Sequence, residues 1–135
     1  MILQVGVKAF LVNQEGKILF LLRSSKYGWE AGKWDLPGGR IEPGSTLMEN
    51  LKRELKEETE LELTSEPVLV AAQDILKYKD KHIVRLTYTA HTEGEPKLDG
   101  LEHTEYRWVS PEDMAKMEDL DDYVKTLLDL KRVVI

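Results

Sequence analysis

Residues 34–61 read WDLPGGRIEPGSTLMENLKRELKEETEL, and their spacing decides how the rest of the chain is read. Gly38 and Gly39 permit a tight backbone turn, a short polar loop follows, and a helix begins near Thr46. The helix start is legible. Thr46 and Glu49 have capping-box spacing, with Ser45 just before them as a competing cap. At ~100° per residue, Leu47, Met48, Leu51 and Leu55 form one apolar stripe, while Glu49, Lys52 and Lys56 lie on the solvated side. Glu54, Glu57 and Glu58 fall at i, i+3 and i+4 and share a face beside that stripe. Glu58 lies angularly between Leu47 and Leu51, at the edge of the core, where a carboxylate is costly unless something cationic meets it. Clustered carboxylates repel one another and weaken a helix. A hard divalent cation reverses the sign of that interaction, and Mg²⁺ accepts a few carboxylate oxygens together with water and phosphate oxygens. The alternative is a solvated acidic face balanced by Lys52, Arg53 and Lys56. Helix composition alone leaves the two open.

The wider spacing separates them. Gly39, Arg53, Glu54, Leu55, Glu57, Glu58 and Leu61 resemble the Nudix box, written G-x5-E-x7-R-E-U-x-E-E-x-G-U with U a bulky aliphatic. Trp34, Asp35, Leu36, Pro37 and Gly38 are similar to that family's approach to the box. Two positions depart from the pattern: Ser45 stands in place of Glu, and Glu60 in place of Gly. The resemblance implies an α+β fold, a Nudix-type α/β/α sandwich in which the box helix and a C-terminal helix flank a curved mixed β-sheet. It implies Mg²⁺ or Mn²⁺ held by Glu54, Glu57, Glu58 and the Gly39 carbonyl, with Arg53 orienting a carboxylate, Glu57 foremost. Substrate contacts are expected from Arg23, Gly38, Gly39 and Arg40, although Arg23 reads equally as a surface arginine. The implied reaction is hydrolysis of a nucleoside diphosphate linked to another group, foremost a nucleoside triphosphate releasing pyrophosphate. An ADP-ribose, nucleotide-sugar or dinucleoside-polyphosphate hydrolase is the second reading, and a silent nucleotide sensor the third. Leu76 stands where ADP-ribose cleavers often carry proline, and Tyr78 falls near a tyrosine of dinucleoside-polyphosphate cleavers.

Both departures carry expectations. Ser45 is too short to brace the loop against Arg53 and is expected to cap the helix instead. Arg53 then turns to Glu49, Glu57 or Glu42. Glu60 at the helix end would adopt the left-handed form at a cost of roughly 1–2 kcal/mol, so a looser or differently closed end is expected.

With 135 residues the chain suits one domain, residues 1–135, with a single well-buried core. It contains no cysteine, which removes disulfides and thiolate metal sites and fits a cytoplasmic protein. No signal-peptide pattern opens it, and its apolar runs fall far short of the ~20 residues that span a bilayer. The net charge of −6 argues against nucleic-acid and membrane surfaces but not against a small metal-bridged nucleotide. Monomer and homodimer are equally compatible with the sequence.

Residues 3–12 read as a strand with Val5, Val7, Ala9 and Leu11 on one face, and residues 17–23 as its hairpin partner. Tyr27 and Trp29 in the following loop are candidates for base stacking or packing. Residues 68–78 and 82–91 form a second hairpin, residues 106–109 a short strand. Ser110 and Pro111 start a helix, and residues 121–130 form a final helix with a core-facing stripe. Glu102 lies where several relatives place a further catalytic or metal-binding glutamate, on a loop expected to close over the site; an inert loop acid is the alternative. His82, His91 and His103 lack zinc spacing and read as ordinary strand and loop histidines.

Overall fold

The computed structural model of the chain describes residues 1–24 and 31–131. Tyr27 and Trp29 lie outside the described residues. Among those described, seven strands form one mixed sheet: β1 (Ile2–Val12), β2 (Ile18–Arg23), β3 (Trp34–Asp35), β4 (Gly38–Arg40), β5 (Val68–Ile75), β6 (Lys81–His91) and β7 (His103–Val109). The spatial order is β3-β2-β1-β6-β5, with β4 added to β1 and β7 to β2. Three helices complete the described chain: α1 (Leu47–Thr59), α2 (Pro111–Met114) and α3 (Asp122–Asp129).

β1 is apolar on both faces because both faces are covered. Val7, Ala9 and Leu11 pack with Leu51 and Leu55 of α1 and with Tyr88 and Ala90 of β6. Phe10 and Val12 face the other way, into a cluster with Phe20, Val109, Met114, Val124 and Leu127. The sheet is thus sandwiched between α1 on one side and α2 and α3 on the other.

The expected hairpin of β1 and β2 is reduced to one pair, Val12 with Ile18. β2 instead follows β7 and β3, while β1 runs parallel to β6 from Ile2↔Lys81 to Val12↔His91 and antiparallel to β4 through Gly6, Val7 and Lys8. The turn at residues 13–16 therefore redirects the chain rather than registering two long strands. Alternation of apolar residues reports which side a residue faces, not which strand lies beside it.

The start of α1 corrects another expectation. Thr46, not Ser45, is the cap: its hydroxyl accepts the Glu49 N–H at 3.1 Å, and the Glu49 carboxylate accepts the Thr46 N–H at 3.4 Å. Ser45 contributes backbone contacts, its N–H donating to the Glu42 carbonyl. Leu51 and Leu55 are buried, but Leu47 at the first helical position is exposed, so the apolar stripe is shorter than the sequence implies. At the other end Glu60 does adopt the left-handed conformation, with φ 58°, and its N–H donates to the Lys56 carbonyl. The helix closes as it would with glycine. Thr59 enforces this, since its buried hydroxyl donates to the Leu55 carbonyl at 2.6 Å and accepts the Leu61 N–H at 3.1 Å.

Candidate functional site

A cleft of about 400 Å³ collects most of the residues singled out in the sequence. From the box come Gly38, Gly39, Arg40, Glu54, Glu57 and Glu58; from elsewhere come Arg23 and Glu102. Arg53 stands behind this lining.

Glu58 is the deepest of the helix carboxylates and is buried. Its Oε1 accepts the Gly38 N–H at 2.7 Å. Burial pushes its carboxyl up to about 8, against the opposing pull of Lys8 and the Gly38 N–H, and the charges of Glu54 and Glu102 push the same way as burial. Glu54 is likewise raised by burial, although Arg53 draws it back. A site that holds two carboxyls above their usual range is short of positive charge.

Two glycines make this geometry possible. Gly38 has φ 141°, and a Cβ there would sit 2.0 Å from the Val7 carbonyl oxygen. Gly39 pairs with Val7 in the sheet, and a Cβ there would lie 2.5 Å from Glu54 Oε2. The bare backbone of Gly39 therefore lies directly against the Glu54 carboxylate.

Arg53 does not choose Glu57 first. Its Nη1 donates to Glu54 at 2.9 Å and lies 3.5 Å from Glu57 and 3.7 Å from Glu42. Its Nη2 donates to Asn50 Oδ1 at 2.8 Å and to the Arg40 carbonyl at 3.3 Å. Glu49, engaged in the capping box, is not among its hydrogen-bond or ion-pair partners.

The Glu102 segment reaches the box. One ligand atom each from Glu58, Glu102 and His103 lies within 4.8 Å of the others. His103 is buried at the start of β7, with Nδ1 3.7 Å from Glu58 Oε2, and burial lowers its pKa. Burial pushes the acid up and the imidazole down, so it works against an ion pair between them. The expectation that His103 is an ordinary loop histidine is therefore corrected. Zinc spacing was the wrong test, because its neighbours come from other elements. Arg23 Nη1 pairs with Glu102 at 3.2 Å, and Arg40 lines the same cleft with its Nη1 on Gln4 Oε1.

A second charged group in this cleft is invisible to local spacing. Asp35 accepts from Arg85 Nη2 at 3.0 Å and pairs with Lys8 at 3.2 Å, while Arg85 Nη1 lies 3.4 Å from Asp121. Burial alone would raise the Asp35 carboxyl; Arg85 and then Lys8 outweigh it and hold it well below the usual carboxylate range. Asp121 caps α3, accepting the Tyr123 and Val124 N–H groups at 3.0 Å. Ile75, Ile83 and Tyr123 line the cleft alongside. The Arg85 Nε, though buried, has no hydrogen-bond partner among the described residues.

The donor set suits a hard divalent cation: oxygen-rich, under-neutralised and bordered by backbone without side chains. No helix among the described residues is long and apolar enough to cross a membrane.

Known proteins resemble this chain in sequence and fold. The NUDIX domain family matches residues 2–129. The nucleoside triphosphatase NudI of Escherichia coli is 28% identical over 130 residues, covering 90% of this chain and 92% of that protein. The CTP pyrophosphohydrolase of Escherichia coli is 29% identical over 109 residues, 81% of this chain and 78% of that one. The crystal structure of a MutT protein from Methanosarcina mazei superposes with a TM-score of 0.84 at 31% identity, covering 96% of this chain and 92% of its own. A family match across almost the whole chain, carried by the same sheet and helices, makes this protein a member of the NUDIX domain family, a Nudix hydrolase.

Proposed function

We propose that the protein hydrolyses a phosphoric anhydride bond of a nucleoside triphosphate, releasing pyrophosphate, with Mg²⁺ or Mn²⁺ as cofactor. The observation that carries this reading is the convergence of Glu54, Glu57, Glu58 and Glu102 on one cleft, in which burial raises the carboxyls of Glu54 and Glu58 above their usual range. Relatives named for nucleoside triphosphate and CTP hydrolysis support the substrate class.

In this reading Glu54, Glu57, Glu58 and the Gly39 carbonyl hold the metal, and Glu102 completes the site. When bound, the ion neutralises diphosphate charge and makes water a competent nucleophile near neutral pH. Arg53 fixes the Glu54 carboxylate through its 2.9 Å hydrogen bond, so that the ligand does not have to be ordered when metal arrives. Glu58 or Glu102 would take the proton from attacking water, with the buried His103 beside both. Arg23 and Arg40 bind phosphate oxygens, Arg23 by exchanging its Glu102 partner for substrate. Ile75, Ile83 and Tyr123 shelter the nucleoside.

The test is incubation with a panel of nucleoside triphosphates, nucleotide sugars and dinucleoside polyphosphates, with Mg²⁺ or chelator, followed by chromatography of products. A nucleoside monophosphate with pyrophosphate, formed only with metal, is expected. Turnover confined to nucleotide sugars or dinucleoside polyphosphates would move the substrate class, and no turnover of any panel member would overturn the hydrolytic reading.

A further inference from the structure

Asn50 is fully buried in the first turn of α1, a helix that is otherwise charged or aliphatic at its interior positions. Asparagine is an indifferent helix former, so burial there needs a reason. All four of its hydrogen-bonding positions are filled. The Oδ1 accepts the Glu42 N–H at 2.8 Å and Arg53 Nη2 at 2.8 Å. The Nδ2 donates to the Ser45 carbonyl at 3.2 Å and to the Thr46 carbonyl at 2.7 Å. The amide cannot be reversed, because its NH₂ would then face two donors.

This one side chain ties the loop before α1 to the guanidinium of Arg53. With Nη2 held by Asn50 and the Arg40 carbonyl, the Arg53 plane is set and Nη1 is left facing Glu54. The glutamate that the box pattern places at position 45 is missing, and Ser45 offers only backbone atoms to this network. We propose that Asn50 is the positioning residue for Arg53 in this protein, supplying the acceptor that Ser45 cannot, so that positions 45 and 50 form a compensating pair acting on the metal-binding Glu54 through Arg53. A glutamate at 45 would return to the loop the carboxylate that the box pattern places there, and the double variant asks whether it takes over from Asn50. The effect on turnover rests on the hydrolase reading above; the effect on Arg53 does not.

The experiment compares the parent, Asn50→Ala, Asn50→Asp, Ser45→Glu with Asn50→Ala, and the control Thr46→Ala, which removes the cap but no Arg53 contact. In metal-free protein, ¹⁵N NMR of the arginine guanidinium groups reports whether Arg53 Nη1 and Nη2 are held. Separate Arg53 signals are expected in the parent, averaging in Asn50→Ala, and separate signals again in the Ser45→Glu double variant. Asn50→Asp, which keeps the acceptor and loses the donors, should retain them, and it carries the test if Asn50→Ala does not fold. Thr46→Ala should lower the melting temperature with those signals intact. With Mg²⁺ and a substrate of the parent, Asn50→Ala should lower kcat about 10–100-fold with a smaller change in KM, and the double variant should recover most of it. Unchanged Arg53 signals in Asn50→Ala, their averaging in Asn50→Asp, or no recovery in the double variant would each overturn the proposal. A parent that turns over no nucleotide defeats the hydrolase reading and leaves the NMR result to decide the role of Asn50.

Discussion

One cleft contains two groups of charges, all at least half-buried except Glu57, and they are neutralised in opposite ways. Asp35 and Asp121 are matched by Lys8 and Arg85, at distances from 3.0 to 3.4 Å. Glu54, Glu57, Glu58 and Glu102 share Arg53 and Arg23, and Glu58 has a single backbone N–H and the His103 imidazole for company. Asp35 is held down by Arg85 and Lys8, while burial pushes Glu54 and Glu58 up; Asp121, deep in the cleft beside Asp35, is raised by burial as well. A charge group that completes itself belongs to the architecture, and one left incomplete is waiting for a ligand. Removing a member should therefore damage the first group and relax the second.

The largest effect is expected at Arg85. Arg85→Met strands two carboxylates and should lower unfolding free energy by about 3–5 kcal/mol in urea titration. A loss under about 1 kcal/mol would mean the first group is solvated and the contrast is false. Next comes Glu58→Gln, isosteric and uncharged, which should reduce metal-dependent turnover about 100-fold or more while the metal-free protein stays folded. Equal turnover would remove Glu58 from the chemistry. Gly39→Ala drives a methyl into the Glu54 carboxylate and should weaken Mn²⁺ binding about 10-fold by calorimetry; unchanged affinity would show that Glu54 can yield.

The smallest effect separates the two groups by pH. Glu58 moves from an ordinary 4.5 to about 8 on folding, so its contribution to stability is complete below 4.5 and is lost as pH rises through 8. Asp35 has the opposite sign, its contribution standing above 3.8 and being lost as pH falls below that value. In chelator, Glu58→Gln should gain steadily on the parent as pH rises from 5 to 8.5. A gap in melting temperature that stays constant over that range would show Glu58 to be charged without metal.

The two groups were also unequally legible. Glu54, Glu57, Glu58 and Gly39 stand out in the sequence because helical spacing places the carboxylates on one face and a fixed interval places the glycine before them. The capping box at Thr46 and Glu49 is readable for the same local reason. Lys8, Asp35, Arg85 and Asp121 come from four elements, and in isolation Arg85 looks like any polar residue of an alternating strand. Only the crossing of β1, β6 and α3 brings these residues into contact. His103 was missed similarly, since it meets Glu58 from a distant element; Asn50 was missed although its partners are near in sequence, because the fold of the loop at residues 42–46 and the turn of Arg53 toward it follow no spacing rule. Ser45 misled because a hydroxyl near a helix start satisfies a local rule, and Thr46, one residue later, satisfies it better.

The parallel pairing of β1 with β6 has a consequence for how the molecule comes into being. The first strand of the chain is the middle strand of the sheet, and its long partner ends at His91. Loop-closure entropy must be met before that pairing returns any stabilisation, which places the fold among the topologies of high contact order that assemble slowly. During synthesis, β1 emerges first and stays without its principal neighbour until the ribosome has passed His91. Over that interval its apolar faces are available to chaperones and to other nascent chains.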